Sequence, residues 1–206
     1  VAGARPQDAS GQGAEKGAAA DERGRLISAV ARSAAEHGYT AFDPKDAARR
    51  AGLPSEAFEA HFASSEQALL AAGEAFLERL WDEACAACEA EPHWPGKVRA
   101  ALEAVLSYLS GASAAARTFL VEAPAASLAA AERQFAAAER FAAALARGRE
   151  HYPQVQLPAL TERVLAGGIA SLLRERLLAE ETQALAALGP ALAEMLLAPY
   201  GAGQGT

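Results

Sequence analysis

The sequence predicts an all-α protein, on three observations. Alanine, the best helix former, is the commonest residue. Aromatic residues make up only 6% of the chain, and β-branched residues are sparse. Apolar residues recur at helical spacing between Gly and Pro breaks, and no stretch keeps the two-residue alternation of a strand. With 206 residues, 51% of them hydrophobic, the chain can bury a substantial core, as one large domain or a small one plus a larger one.

The elements follow in order. A first helix is expected over 22–37, where Leu26, Ile27, Val30 and Ala34 share one face and Gly38 is a natural stop. Asp43 is an N-cap with Pro44 at the first helical position, so a second helix covers 45–51 and stops at Gly52. A third short helix holds 55–61. Ser64, with Gln67 three residues on, has capping-box spacing and opens a long fourth helix that runs to about residue 90. The run EPHWPG breaks the chain there. Further helices are expected near 97–110, 114–122, 125–147, 158–180 and 181–198, about nine in all, with HYPQVQLP separating two of them.

The organisation is a small N-terminal unit joined by a long helix to a larger helical body. Residues 1–20, polar and Gly/Ala-rich, are expected to form a disordered arm. Residues 21–66 form the small unit, 67–200 the body, and 201–206 a loose tail. The opening lacks the apolar core of a secretory signal, and no apolar run approaches the roughly 18 residues of a membrane span, so a cytoplasmic location is expected.

Short helices joined by a Gly-containing turn are a helix-turn-helix arrangement. The details are more specific. Gly38-Tyr39, Asp46-Ala47-Ala48 followed by Ala51-Gly52-Leu53, Phe58, His61-Phe62, and Ser64 with Glu66 and Leu69 resemble the N-terminal domain of TetR-family transcriptional regulators. Leu157-Pro158, Gly167-Gly168-Ile169 and the closing Leu196-Leu197-Ala198-Pro199-Tyr200-Gly201 are similar to that family's last two helices. The resemblance implies a homodimeric, ligand-responsive regulator, in most members a repressor. Its third helix would enter the major groove, its second would cross the backbone, and its body would hold a ligand pocket and the dimer interface.

On that resemblance the DNA-facing residues are Tyr39, Lys45, Arg49, Ser55, Glu56, Ala57, Glu59, Ala60, His61 and Ser65. Several depart from the family's pattern. Glu56 stands in its Gly slot, Glu59 in its Tyr slot and Ser65 in its Lys slot. From Thr40 to Leu69 there are three cations, Lys45, Arg49 and Arg50, against five anions, Asp43, Asp46, Glu56, Glu59 and Glu66. Affinity for DNA rests largely on cations that neutralise phosphates, so this patterning opposes tight binding. A glutamate in the groove can still accept from cytosine N4. Two readings stay open: weak or unusually selective operator binding, helped by Arg23 and Arg25, or a TetR-like ligand- or partner-binding dimer that has lost its operator.

The body offers an apolar pocket between the helices at 97–110, 114–122 and 125–147. Trp94, Tyr108, Phe119, Glu122, Phe135 and Phe141 are its large or polar candidates, although each is equally a core residue. Gly167 and Gly168 interrupt an apolar helical stretch, which costs about 1 kcal/mol each against Ala. Close helix approach would compensate, either within one subunit or in a dimer seam of Val164, Gly167, Gly168, Ser171, Leu172, Leu188, Leu192 and Met195. Cys85 and Cys88 form a C-x-x-C with no second ligand pair, and read as small buried residues. The four histidines are scattered, and no phosphate loop or nucleophile motif occurs. No catalysis, metal or cofactor is therefore expected. The expected partners are double-stranded DNA, a small apolar ligand and a second copy of the chain.

Overall fold

The computed structural model describes residues 9–201, with side chains described from residue 17 onward except Gln183. No strand occurs among them. They divide into two compact units, one ending at Ala72 and the other beginning at Gly73. The boundary falls inside a continuous helix, α4 (Ser65–Glu89).

The first unit holds α1 (Ala9–His37), α2 (Pro44–Arg50) and α3 (Ser55–His61). Helix α1 starts well before residue 22, so the part of the expected disordered arm from residue 9 to 20 is helical instead. Ala18, Ala19 and Ala20 continue the helix at the lowest propensity cost available. The rest of that arm, and the tail beyond Gly201, lie outside the described residues. Asp43 caps α2 as its sequence position predicts, accepting from the Lys45 amide at 3.0 Å. The turn between α2 and α3 is a Schellman closure. Gly52, at φ 69°, donates to the Arg49 carbonyl (3.1 Å) and Leu53 to that of Ala48 (3.0 Å). Only glycine adopts that left-handed conformation without strain, so Gly52 fixes where α2 ends. Phe58 of α3 is buried between Phe42 and Phe62, at centroid distances of 6.0 and 5.4 Å. Ser64 accepts from the Gln67 amide at 3.1 Å, while the Gln67 side chain accepts from the Ala63 amide at 2.6 Å, one residue before the expected partner.

The second unit contains α5 (Trp94–Gly111), α6 (Ser113–Arg117), a π-helical segment (Thr118–Glu122), α7 (Ala123–Ala126), α8 (Leu128–Ala146), α9 (Gly148–His151), α10 (Thr161–Leu178) and α11 (Gly189–Leu197). Its core is formed by Phe76, Leu80, Leu102, Leu106, Leu109, Phe119, Leu145, Leu173, Leu177 and Leu197. Helix α8 packs along α10, and α5 along α11.

Two departures from sequence expectation have a common cause in proline. Pro124 lacks an amide hydrogen and its ring excludes the carbonyl four residues back. The chain around it widens into the π segment, and that carbonyl, of Leu120, accepts from the Gln134 side-chain amide at 3.0 Å instead. The helix expected over 181–198 begins only at Gly189, where Pro190 fits the first turn. Two 3-10 turns, Thr182–Ala184 and Ala186–Leu188, precede it.

The C-terminal end is tied down by aromatic rings. Trp94 lies edge-on to Tyr200 (4.6 Å) and Tyr152 (5.7 Å). A Cβ placed on Gly148 would overlap the Trp94 indole, so this position is held to glycine by close approach.

Candidate nucleic-acid interface and ligand body

Helix α3 is anchored by buried Phe58 and turns Ser55, Glu56, Glu59 and Ala60 to the surface, with Ala57 and Ser65 half-buried. Glu56 and Glu59 have no ion-pair partner among the described residues. Tyr39 is buried, hydroxyl included, so this expected DNA-facing residue is withdrawn from the surface.

The cations of α2 are largely consumed within the unit. Asp46 accepts from Ser33 (2.9 Å) and from Arg50 Nε (2.6 Å), and also pairs with Arg49. Arg50 further grips Glu36, at 2.8 and 2.7 Å. The Ser33 hydrogen bond and the Arg50 guanidinium hold the Asp46 carboxyl below its ordinary value, so it stays ionised at neutral pH. Lys45 is exposed and has no carboxylate partner among the described residues. His61 Nε2 lies 3.4 Å from Glu22. Arg23 stacks over Phe62 at 5.2 Å, and Arg25 donates to the Ala51 carbonyl at 3.4 Å. The sequence shows the Asp46–Arg49–Arg50 spacing, i to i+3 and i+4 on a helix. That signal predicts this neutralisation, which a bare count of cations and anions does not show.

In the second unit the six candidate ligand residues are dispersed. Tyr108 and Phe119 meet on Phe76, at 5.4 and 5.6 Å. Burial pushes the Tyr108 hydroxyl up. Phe119 also packs on Gly73, where an added Cβ would stand 3.3 Å from its ring. Glu122 pairs with Arg117 at 3.3 Å. Phe141 stands apart from these, against Trp81 at 5.1 Å. Phe135 is 61% exposed on α8, and Trp94 belongs to the C-terminal aromatic cluster. The two thiols are half-buried, Cys88 donating to the Lys97 carbonyl (3.5 Å) with its pKa pushed up by burial. No group of three metal-ligating side chains is found among the described residues.

No family model matches the chain, and no curated protein matches it in sequence. Solved structures do. The fatty acid degradation regulator FadR of Bacillus halodurans is similar at a TM-score of 0.72 and 18% identity, over 85% of this chain and 94% of its own. FadR of Bacillus subtilis, in complex with stearoyl-CoA, gives 0.68 at 16% identity, over 85% and 97%. A TetR-family regulator from Mesorhizobium loti gives 0.68 at 15%, over 87% and 96%. The chain has a TetR-like fold.

On the TetR-like body, the predicted seam residues lie mainly on one exposed stripe of α10. Val164 is 69% exposed, and Gly167, Gly168 and Ser171 are exposed beside it, flanked by Leu160 and Leu178. Leu172 and Leu188 are half-buried and Met195 is exposed. Leu192 is the exception: at 2% exposure it is committed to its own subunit's core. A Cβ on Gly167 or Gly168 would meet nothing within 4 Å, so close packing inside one subunit does not account for these glycines. Among the described residues no single helix is long and apolar enough to cross a membrane.

Proposed function

We propose that the protein is a DNA-binding transcriptional regulator of the TetR type, a homodimer controlled by a small apolar ligand. The observation that carries this reading is the helix-turn-helix. A Schellman turn at Gly52 and the Phe58 anchor present Ser55, Glu56, Glu59 and Ala60 of α3 as one exposed edge. Control by a ligand is supported by the aromatic body around Tyr108 and Phe119, and by the stearoyl-CoA bound to a similar fold. The dimer is supported by the exposed apolar stripe of α10, since such a patch on a small chain marks an interaction surface. The ligand would favour a dimer conformation whose recognition helices are no longer one DNA turn, about 34–36 Å, apart.

Operator binding on this reading is electrostatically thin, because Lys45 is the α2 cation left without a carboxylate. A titration against DNA upstream of the protein's own gene, at several salt concentrations, tests it. Saturable binding with a shallow salt slope is expected. Absence of saturable binding even at low salt overturns it.

One observation favours a second reading. Asp46 and Glu36 neutralise both arginines of α2, while Glu56 and Glu59 leave α3 acidic. A dimer that binds ligand or partner protein without DNA would look the same, and the same titration separates the two.

A further inference from the structure

A groove of about 180 Å³ runs between α4 and α8, apart from the Tyr108–Phe119 region. Glu74, Glu78 and Trp81 line it from α4; Arg133, Arg140 and Phe141 from α8. Two of its walls are already joined by one of the lining side chains. The Arg140 guanidinium lies 4.1 Å above the Trp81 ring and pairs with Glu78 at 2.7 Å. Phe141 closes the Trp81 edge at 5.1 Å.

Trp81, Phe141 and the two carboxylates each favour positive charge. An indole face attracts a cation through its quadrupole, a carboxylate beside it adds direct attraction, and a flat delocalised cation satisfies both at once. The guanidinium is such a cation, and its seat demonstrates the chemistry. It is also replaceable: Arg140 and Glu78 are 43% and 55% exposed, and the guanidinium hangs on a flexible stem. Arg133 donates to the Ala129 carbonyl at 3.2 Å, on its own helix. Once Arg140 swings out, Glu74 and Glu78 face the aromatic pair against that one remaining cation.

We propose that this groove is a binding site for a flat organic cation, and that Arg140 is its tethered internal occupant, displaced from Trp81 and Glu78 when the ligand binds. The occupant lowers apparent affinity by competing for the seat, as any state that blocks binding does. Helix α4, which carries Glu74, Glu78 and Trp81, is the helix that continues back to Ser65, directly after the helix-turn-helix in sequence. Occupancy of the groove therefore exchanges a side-chain contact on α4 for a ligand contact.

Calorimetric titration of the full chain with benzamidinium chloride, without DNA, tests the proposal, and its failure leaves the operator reading untouched. Wild type should bind weakly. Arg140→Ala should bind at least tenfold more tightly, as should Arg140→Ser, whose short polar side chain also leaves the indole face open. In the Arg140→Ala background, Trp81→Ala and Glu78→Gln should each lose at least tenfold. Sodium benzoate, the anion of matching shape, should not bind. If neither Arg140 variant gains affinity while both remain folded by circular dichroism, Arg140 is not an occupant and the proposal falls. Benzoate binding that matches benzamidinium also overturns it, since the arginines would then be the recognising groups.

Discussion

Arg149 holds Glu162 by two parallel hydrogen bonds, Nε to Oε1 and Nη2 to Oε2, both 2.8 Å long. The carboxylate is 4% exposed, and the Tyr200 hydroxyl donates to the same Oε1 at 2.7 Å, with the Leu145 carbonyl oxygen 3.1 Å away. Arg149 also donates to the Leu157 and Pro158 carbonyls, at 3.0 and 2.8 Å. One ion pair with a buried carboxylate thus joins α9, the HYPQVQLP connection, α10 and the C-terminal turn.

Removing the Tyr200 donor should weaken the second unit. Tyr200→Phe leaves the ring packing on Trp94 but costs a hydrogen bond to a charged acceptor, about 1.5–3 kcal/mol. Burial pushes Glu162 up, but the bonds from Arg149 and Tyr200 outweigh it and hold the carboxyl below 4.5. A depressed carboxyl contributes stability that is present above about pH 4.5 and is lost as pH falls through its folded value. Burial and Glu162 raise the Tyr200 hydroxyl above its ordinary 10.0, so its contribution is present below pH 10 and is lost in more alkaline solution. Urea midpoints across pH should show a plateau between those limits for wild type, and a lower plateau with a shallower acid limb for Tyr200→Phe. An unchanged midpoint would show the bond to be dispensable.

Releasing the α2 arginines should strengthen DNA binding. Asp46→Asn removes the carboxylate that pairs with both Arg49 and Arg50, leaving Glu36 to hold Arg50 alone. Anisotropy titrations should show higher affinity and a steeper salt dependence. The expected gain is about one phosphate contact, a change in log–log slope of about 0.9. If folded Asp46→Asn binds no more tightly than wild type, intramolecular pairing is not what limits this surface.

Gln134 should matter more than its surface chemistry suggests. Its amide is the partner of the Leu120 carbonyl that Pro124 displaces from the helical ladder. Gln134→Ala leaves that carbonyl in a buried segment without this donor, at a cost of about 1–3 kcal/mol. The companion change Pro124→Ala lets the ladder close, so the double variant should recover most of the loss. Thermal melts of the two single variants and the double one check this, and strict additivity would disprove the coupling.

The helix-turn-helix was legible because its signals are local. Asp43-Pro44, Gly52 and Ser64 with Gln67 each act through the nearest backbone, and α3 has the bounds its sequence predicts. The Arg149–Glu162–Tyr200 link was missed because its partners are 13 and 38 residues apart and charged residues usually face water. A weak signal existed. Glu162 falls on the same helical face as Leu173 and Leu177, where a carboxylate must be paired. Residue type alone marks the ligand candidates in the sequence. Type does not tell exposed Phe135 from buried Phe119, because that depends on which side of α8 meets its neighbours and on the π segment packing against Phe76 and Gly73.

Gly167 and Gly168 offer the sharpest test of the dimer. Both sit inside α10, both are exposed, and neither would place a Cβ against anything in its own subunit. For an isolated subunit, Ala at either position should therefore stabilise α10 by about 1 kcal/mol through helix propensity alone. If a second copy packs its backbone against this stripe, the added methyl groups hold the helices apart, and the sign reverses for association. Sedimentation should then show Gly167→Ala and Gly168→Ala raising the dimer dissociation constant at least tenfold. Unfolding of the dissociated chain should meanwhile move to higher denaturant. Val164→Glu, on the same stripe, should disrupt the dimer without touching the core, since that side chain is 69% exposed. Were all three variants to dimerise as wild type does, the seam would lie off α10, and its exposed apolar stripe would need another partner.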